Sequence, residues 1–322
     1  MYPLYKDYYN FEKEKIIELS KRCIENKNIK TYNIKPNEIK KYLYKYKLEE
    51  KEIFVIIYDK WEDNLELNKL TDYFTQEERI RCNFKNNISP INYYINNKLE
   101  FKPKDIKEYN EFENYMFSKC KFCNNFRISI CLNILEMFKP KKWLDISAGW
   151  GDRLLTALIY SNMNKEFKLY QAADPNPDLQ KKYNQMIKSF NKTKRNFKII
   201  QDGFEYIDIK DKDFDICLTS PPFFDMEEYS NDKHDSLTQY NTFQKWYDNF
   251  LMISVKKSIE HIKENGYLIL YIELFDKIYN TKKMIDDITN NFNVEFKGSI
   301  YYIDDTNKNN LKPRPFFIWK KI

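Results

Sequence analysis

From about residue 124 onward, short apolar runs alternate with longer amphipathic stretches, and this alternation limits the possible folds more than any other feature of the chain. Phe126, Ile130, Ile134 and Phe138 recur at helical spacing. Lys142 to Ile146 then reads as a strand running into a glycine-containing turn. Further strands are expected at Leu169 to Ala173, Phe197 to Gln201, Phe214 to Thr219 and Tyr267 to Ile272. Helices fit around 152–160, 178–190, 242–263 and 281–290. Parallel neighbours need a long crossover, usually a helix. The order therefore predicts an α/β fold, a mostly parallel sheet with helices on both faces. The end differs: 294–302 and 314–320 are two strands with no helix between them, so an antiparallel pair should close the sheet.

The first 110 residues read differently. They are rich in Lys, Tyr and Asn. Helical periodicity runs from Phe11 to Ile24, and Pro36 can open a second helix to about Lys47. The mixed cations and aromatics of Lys40 to Lys47 fit a solvated helix face. Ile53 to Tyr58 is a short buried-strand candidate. Thr75-Gln76-Glu77-Glu78 has capping-box spacing for a short helix through Cys82, and Ser89-Pro90 reads as a helix cap. The expected organisation is an accessory region over 1–110, smaller and α-rich, and a main domain over 111–322. No repeat of solenoid period is visible.

Composition excludes more than it selects. Lys and Arg total 54 against 48 Asp and Glu, so the net charge is +6 over 322 residues. That permits a polyanionic partner without requiring one. Asn, Lys, Ile and Tyr share AT-rich codons, so coding bias explains much of their excess. Six cysteines are too sparse for a disulfide scaffold. Cys120 and Cys123 form one Cys-x-x-Cys pair, but a structural zinc needs about four ligands. Cys131 sits in an apolar helical run, and His234 and His261 are remote, so the cysteines read as reduced thiols, with Cys217 in the core and no metal expected. No apolar run approaches the roughly 20 residues that span a bilayer, and the first residues lack a secretory apolar stretch. A soluble, cytoplasmic protein with no membrane partner is expected.

Two constellations carry chemistry. In the first, Asp145-Ile146-Ser147-Ala148-Gly149-Trp150-Gly151-Asp152-Arg153 sits where the first strand of the main domain becomes a helix. Gly149 and Gly151 allow a tight bend and close approach to a ligand, and the helix start offers unpaired amides. Asp174 ends the next strand, where a carboxylate can accept both hydroxyls of a ribose. Asp202, with Gly203 beside it, ends the third and could meet an adenine amino group. Leu154 stands where a dinucleotide fingerprint has its third glycine, which favours another adenosine ligand over NAD. Trp150 can line that pocket or pack in the core. In the second constellation, Ser220-Pro221-Pro222-Phe223 follows the fourth strand. Asp225, Glu227 and Glu228 after it read as solvated.

Ser220-Pro221-Pro222-Phe223 resembles the Asp/Asn/Ser-Pro-Pro-aromatic motif of S-adenosylmethionine-dependent amino-methyltransferases, which methylate adenine N6 or cytosine N4. The run on to Ser230, and Ala148 to Leu154, are similar to DNA methylases of phages and large viruses. The resemblance spans roughly 124–320; Ile146 departs from it, standing where many relatives have proline. It implies a class I methyltransferase, Rossmann-like, with a seven-stranded sheet and an antiparallel C-terminal strand. It implies S-adenosyl-L-methionine as cofactor, held by Asp145, Ser147, Ala148, Gly149, Gly151, Asp174, Asp202 and Gly203. It implies a nucleic-acid partner, DNA in the first place and RNA as the alternative. Ser220 and the Pro221 carbonyl would accept the hydrogens of the target amine, the prolines would stiffen the loop, and Phe223 would stack on a flipped base. The sequence leaves open a catalytically silent form that supports a partner protein, and an oligomer.

Overall fold

The structure is a computed structural model, and it describes residues 1–9, 18, 21, 28–30, 53–59, 61–84, 87–224, 226–229, 236–272, 281–304 and 314–322. The helix expected over 36–47, with its Lys40–Lys47 stretch, and nearly all of the one over 11–24 lie outside these residues. The elements that matter for the site run as follows. Strands β1 (Asn28–Lys30) and β2 (Ile53–Asp59) precede helix α1 (Trp61–Arg79), a short β3 (Asn83–Phe84), α2 (Pro90–Asn96), α3 (Ile106–Lys119) and α4 (Ile128–Phe138). Then come β4 (Lys142–Asp145), α5 (Asp152–Met163), β5 (Leu169–Ala173), α6 (Pro177–Phe190), β6 (Asn196–Ile200), β7 (Phe214–Thr219) and a short β8 (Glu227–Glu228). The chain ends with α7 (Met252–His261), β9 (Ile262–Tyr271), α8 (Thr281–Asn291), β10 (Val294–Asp304) and β11 (Arg314–Lys321).

One sheet holds nine of the strands in the order β1-β2-β10-β11-β9-β7-β4-β5-β6. From β10 to β6 the neighbours are parallel except β11, which is antiparallel to both β9 and β10. That is the class I methyltransferase sheet. The expected seven strands are present, and two more extend the sheet: β2 lies parallel to β10 along seven residue pairs, and β1 pairs with β2.

Side-chain alternation fills both faces. Trp143 and Tyr170 point to the face covered by α4, α5 and α6, while Leu144, Phe214 and Cys217 point to the face covered by α7 and α8. Helix α1 packs against α4, α5 and α6 and so adds to the helical layer on that face of the sheet. A separate small core gathers Tyr5, Ile80, Tyr109, Phe112 and Met116, and α3 carries it across the expected boundary at residue 110. No described helix is long and apolar enough to cross a membrane.

Several expectations change. Thr75 does not cap a helix; it lies inside α1, and its hydroxyl bonds back to the Thr71 carbonyl at 3.2 Å. Ser89 is a cap, accepting the Asn92 amide at 3.3 Å. Strand β9 starts at Ile262 rather than Tyr267. The helix expected over 242–263 contains a π-helical stretch, Tyr247–Leu251.

The turn after β4 depends on its glycines. Gly149 has φ +58° and Gly151 φ +95°, both in the left-handed region. A Cβ on Gly149 would have room, its nearest neighbour being 3.9 Å away, whereas a Cβ on Gly151 would lie 3.0 Å from the Met186 sulfur. Gly151→Ala therefore meets both backbone strain, about 1–2 kcal/mol, and crowding. It should lower unfolding free energy in urea by more than Gly149→Ala, which meets the strain alone.

Candidate active site

β5 and β6 lie on one side of β4, and β7 and β9 on the other. The strand order thus reverses between the parallel neighbours β4 and β7, and crevices outside the carboxyl ends at such a point are where open α/β sheets take ligands. A cavity of about 950 Å³ lies there. That is near the upper end of the usual range for small-molecule sites. Its wall includes Gly149, Asp174, Ser220 and Phe223, so the structure brings the two sequence constellations into one chamber.

The glycine turn and Asp174 are coupled. One Asp174 oxygen accepts the Gly149 amide at 2.8 Å, and the other accepts the Asn176 amide at 3.1 Å. Tyr183 donates its hydroxyl to the Gly149 carbonyl. Burial pushes the Asp174 carboxyl up to about 6, against the pull of these amides. A carboxylate has about four acceptor positions, so even with the Tyr183 hydroxyl beside it the group retains capacity for a further donor. Trp150, 6% exposed, lines the cavity and also packs against Tyr229, which joins its two expected roles.

Asp145 is placed differently from its neighbours. Its carboxyl is fully buried, and it accepts Arg153 Nε at 2.8 Å and the Tyr170 hydroxyl at 2.7 Å. It supports the turn from below through Arg153, while Ser147 and Ala148 form the wall. Arg153 closes the first sequence constellation, but sequence reasoning gave it no role. Its guanidinium donates to the Ser147 carbonyl and reaches the Ser220 carbonyl at 3.4 Å, and it lies 4.9 Å from the centre of the Phe126 ring. Ser147 Oγ donates to the same Ser220 carbonyl at 2.9 Å. Burial opposes the charge on Arg153, yet Asp145 holds its pKa above the ordinary value.

On the far side the wall is Gly203, Phe204 and Glu205. Asp202 is half-buried, and its carboxylate accepts the Gly203 amide at 2.8 Å. Glu205 is a second residue that sequence reasoning missed. One of its oxygens accepts the Tyr240 hydroxyl at 2.9 Å; the other is buried without a hydrogen-bond partner among the described residues. Burial raises its pKa. A buried acceptor of this kind is costly until a donor reaches it.

The acceptor loop is pinned at its base. Thr219 Oγ1 accepts the Ile146 amide at 3.2 Å, and Pro221 is buried. Phe223 is half-buried, with its ring 5.8 Å from that of Tyr271. Beyond it, β8 pairs with β3, so the loop is also tied to the N-terminal region. Glu227 in β8 corrects the expectation of solvation: it lines the cavity, accepts the Tyr229 hydroxyl at 2.6 Å, and burial raises its pKa. Glu228 is exposed as expected, and Asp225 lies outside the described residues.

The opposite wall is Asn68 and Asp72 of α1 and Glu113 of α3. Arg79 grips Asp72 through two bonds of 3.0 and 2.7 Å. Asp152, at the start of α5, accepts Asn68, Asn125 and the Phe126 amide at 2.7, 3.3 and 2.9 Å. Burial lifts Asp152 to about 6 and, with help from Asp72, Glu113 to about 7. Cys120 and Cys123 are buried free thiols; the Cys123 thiol is pushed far up by its hydrogen bond with the Cys82 thiol and by burial. Among the described residues, no group of three or more His, Cys, Asp or Glu side chains could hold a metal ion.

No protein-family model matches the chain, and no curated protein sequence matches it. Among solved structures it is similar to an rRNA methylase from Streptococcus thermophilus, at TM-score 0.41 and 14% identity, over 62% of this chain and 99% of that one. It is also similar to an S-adenosylmethionine-dependent methyltransferase from Clostridium acetobutylicum, at TM-score 0.39 and 12% identity, over 66% and 98%. Likenesses this low add nothing to what the strand order already shows.

Proposed function

We propose that the protein transfers a methyl group from S-adenosylmethionine to an exocyclic amine of a nucleobase, adenine N6 or cytosine N4, in a nucleic acid. The observation that carries this reading is one chamber lined by both the Asp174–Gly149 turn and the Ser220–Phe223 loop, cross-linked by the Ser147–Ser220 hydrogen bond. The similarity of Ser-Pro-Pro-Phe to the amino-methyltransferase motif supports the amine and favours DNA.

The residues present fit the cofactor. Asp174 would hold the ribose hydroxyls with its remaining acceptor capacity. Gly149 and Gly151 let the backbone come close. The partnerless Glu205 oxygen suits the amino group of an adenine, beside Gly203 in the cavity wall. When bound, S-adenosylmethionine supplies an electrophilic methyl group. The chain's own task is to make a poor nucleophile attack it. The lone pair of an exocyclic amine is delocalised into its ring. Ser220 Oγ and the Pro221 carbonyl, held by two prolines, accept its hydrogens and favour a pyramidal nitrogen. Phe223 and the edge of the cavity orient the base, so proximity does the rest. The N-terminal region, over 1–110 on the expected division, would read the target.

Tritiated-methyl transfer onto a panel of DNA and RNA, followed by nucleoside mass spectrometry, tests this. N6-methyladenine or N4-methylcytosine is the expected product; labelling of neither, by well-folded protein that binds S-adenosylmethionine, would defeat the amine assignment. Ser220→Ala should cut the transfer rate about 100-fold, the scale of removing one aligned polar group. Cofactor affinity by titration calorimetry should stay unchanged, because Ser220 holds the turn through its backbone carbonyl.

A further inference from the structure

The chamber continues past the acceptor loop to helix α3. The loop runs into β8, and β8 pairs with β3. Arg79, at the end of α1, lies 5.8 Å from the centre of the Phe122 ring, and that ring is 4.0 Å from the ring of Phe117 on α3. Phe84 of β3, Arg79 and Phe117 line the same cavity as Ser220 and Phe223. Helix α3 turns one face to it. Tyr109, Phe112 and Met116 are the buried positions of α3 and belong to the small core. Asn110, Glu113, Asn114 and Phe117 recur at helical spacing beside them, and these four line the chamber. Phe117 is 49% exposed, with the buried Phe122 packed behind it. Tyr5 lines the cavity too, its ring 5.7 Å from that of Tyr109. It is 1% exposed, and its hydroxyl is buried with no hydrogen-bond partner among the described residues. Asp72 and Glu113 both act on that hydroxyl, so it lies on their side of the chamber.

A buried hydroxyl without a partner is costly until a ligand group reaches it. An exposed ring backed by a second ring, with amide and carboxyl groups one turn earlier on the same helix face, meets the two needs of an unpaired base. The ring offers a platform to its π-face, and the polar groups offer partners to its edge. An asparagine amide matches an edge where an exocyclic amine adjoins a ring nitrogen, and a carboxyl accepts from such an amine. Adenine and cytosine have that edge; thymine and uracil present a carbonyl in place of the amine. We propose that α3 holds a second base of an unpaired strand, a neighbour of the target, with Phe117 stacked on it and Asn110, Glu113 and Asn114 reading the edge of adenine or cytosine. This deepens the reading of the chamber as a nucleobase methyltransferase site and rests on it. Phe223 takes the target base and Phe117 the flanking one. The strand then follows the wall from the acceptor loop past β8 and β3 to α3, and the Asp174–Gly203 side is left to the cofactor.

The test uses the full chain and fluorescent single strands of thymine, or of uracil in RNA form, with binding read by anisotropy. One central adenine or cytosine sets the register, and a second is moved through the other positions. Wild-type affinity should peak at one spacing between the two. Phe117→Ala should weaken binding of that preferred strand about 5- to 150-fold, the scale of losing one stacked base. Removing the flanking base to leave an abasic site should weaken wild-type binding similarly and cost the Phe117→Ala variant nothing more. Glu113→Gln/Asn114→Ala should keep the stacking but cut the preference for adenine or cytosine over thymine at that spacing at least fivefold. Titration of S-adenosylmethionine into each variant should give wild-type affinity, which shows that the fold and the cofactor side are intact. The abasic strand on wild-type protein keeps the test independent of the variants' folding. No binding of any strand, affinity indifferent to the spacing, or a Phe117→Ala variant that binds as wild type does overturns the second-base site even if wild-type protein transfers methyl groups. If the spacing preference holds and depends on Phe117 while wild-type protein binds no S-adenosylmethionine, the site stands and the methyl-transfer reading falls.

Discussion

Replacing Arg153 with methionine is expected to destabilise the protein by about 3–5 kcal/mol, the scale of breaking a buried ion pair by removing one partner. Arg153 and Asp145 are 4% and 0% exposed, so the change leaves a carboxylate in the interior with only the Tyr170 hydroxyl and the Ser147 amide for company. Methionine roughly keeps the volume, so the loss comes from charge and hydrogen bonding rather than from a cavity. The damage should be local as well as global. Arg153 joins Asp145, the Ser147 carbonyl and the Ser220 carbonyl, and these belong to β4, the glycine turn and the acceptor loop. Urea unfolding of the variant should show a lower midpoint with an unchanged slope. Removing both charges, as Asp145→Asn with Arg153→Met, should recover a good part of the loss, because the uncompensated charge is gone. If the single variant unfolds like wild type, the pair is not what holds the two loops in register.

Asp174→Ala is expected to weaken S-adenosylmethionine binding on the order of 10²–10⁴-fold. Two hydrogen bonds from ribose hydroxyls to a charged acceptor contribute about 1.5–3 kcal/mol each, and tenfold in affinity corresponds to about 1.4 kcal/mol. The same change should alter stability much less. It orphans the Gly149 and Asn176 amides, but it also removes a carboxylate that burial makes unfavourable, and these oppose one another. The sign of the pH dependence follows from the raised value. The folded protein titrates Asp174 at about 6 against an ordinary 3.8. Below about pH 4 the group is protonated in both states. Between there and pH 6 the unfolded chain releases a proton that the folded chain keeps. Stability attributable to Asp174 therefore falls as pH rises through that window, by roughly 3 kcal/mol in all. Binding runs the other way, since the hydroxyls need a carboxylate: affinity should climb as pH passes through 6 and level off above 7. Calorimetric titration at pH 5.5 and 7.5 checks the binding. Comparing the pH dependence of urea unfolding in wild type and in Asp174→Ala checks the stability. A wild-type affinity flat across pH 6 would mean that Asp174 does not meet the ribose.

The sheet was the most legible part of the molecule. Leu169–Ala173 and Phe214–Thr219 are apolar, short and bounded by polar or turn-forming residues, and they form strands over the expected ranges. The helices of the N-terminal region were harder to read because their buried faces are not purely apolar. In α1 the inward positions include Asn68, Thr71 and Thr75 beside Leu67, Leu70 and Phe74, which blurs the period. Helix α3 did leave a signal: Asp105 caps it by accepting the Lys107 and Glu108 amides, and Tyr109, Phe112 and Met116 follow at helical spacing. Within the site, the glycines and Asp174 were legible because their roles are local. Arg153 was not, because its partners lie across a turn and on another strand, and an arginine in the first turn of a helix reads as solvated. Glu205 escaped for the same reason. Its environment depends on Tyr240, which sequence separates from it by an entire strand and loop.

The pairing of β2 with β10 has a consequence for anyone who trims this protein. Cutting the chain ahead of Trp61 would strip the outer ribbon from Gly298–Asp304 of β10 and leave the peptide amides and carbonyls along seven residues facing water. Bare margins of that kind recruit other chains and seed precipitates. A shortened version should therefore self-associate even if its catalytic half folds, and the proper place to divide the gene lies upstream of residue 53.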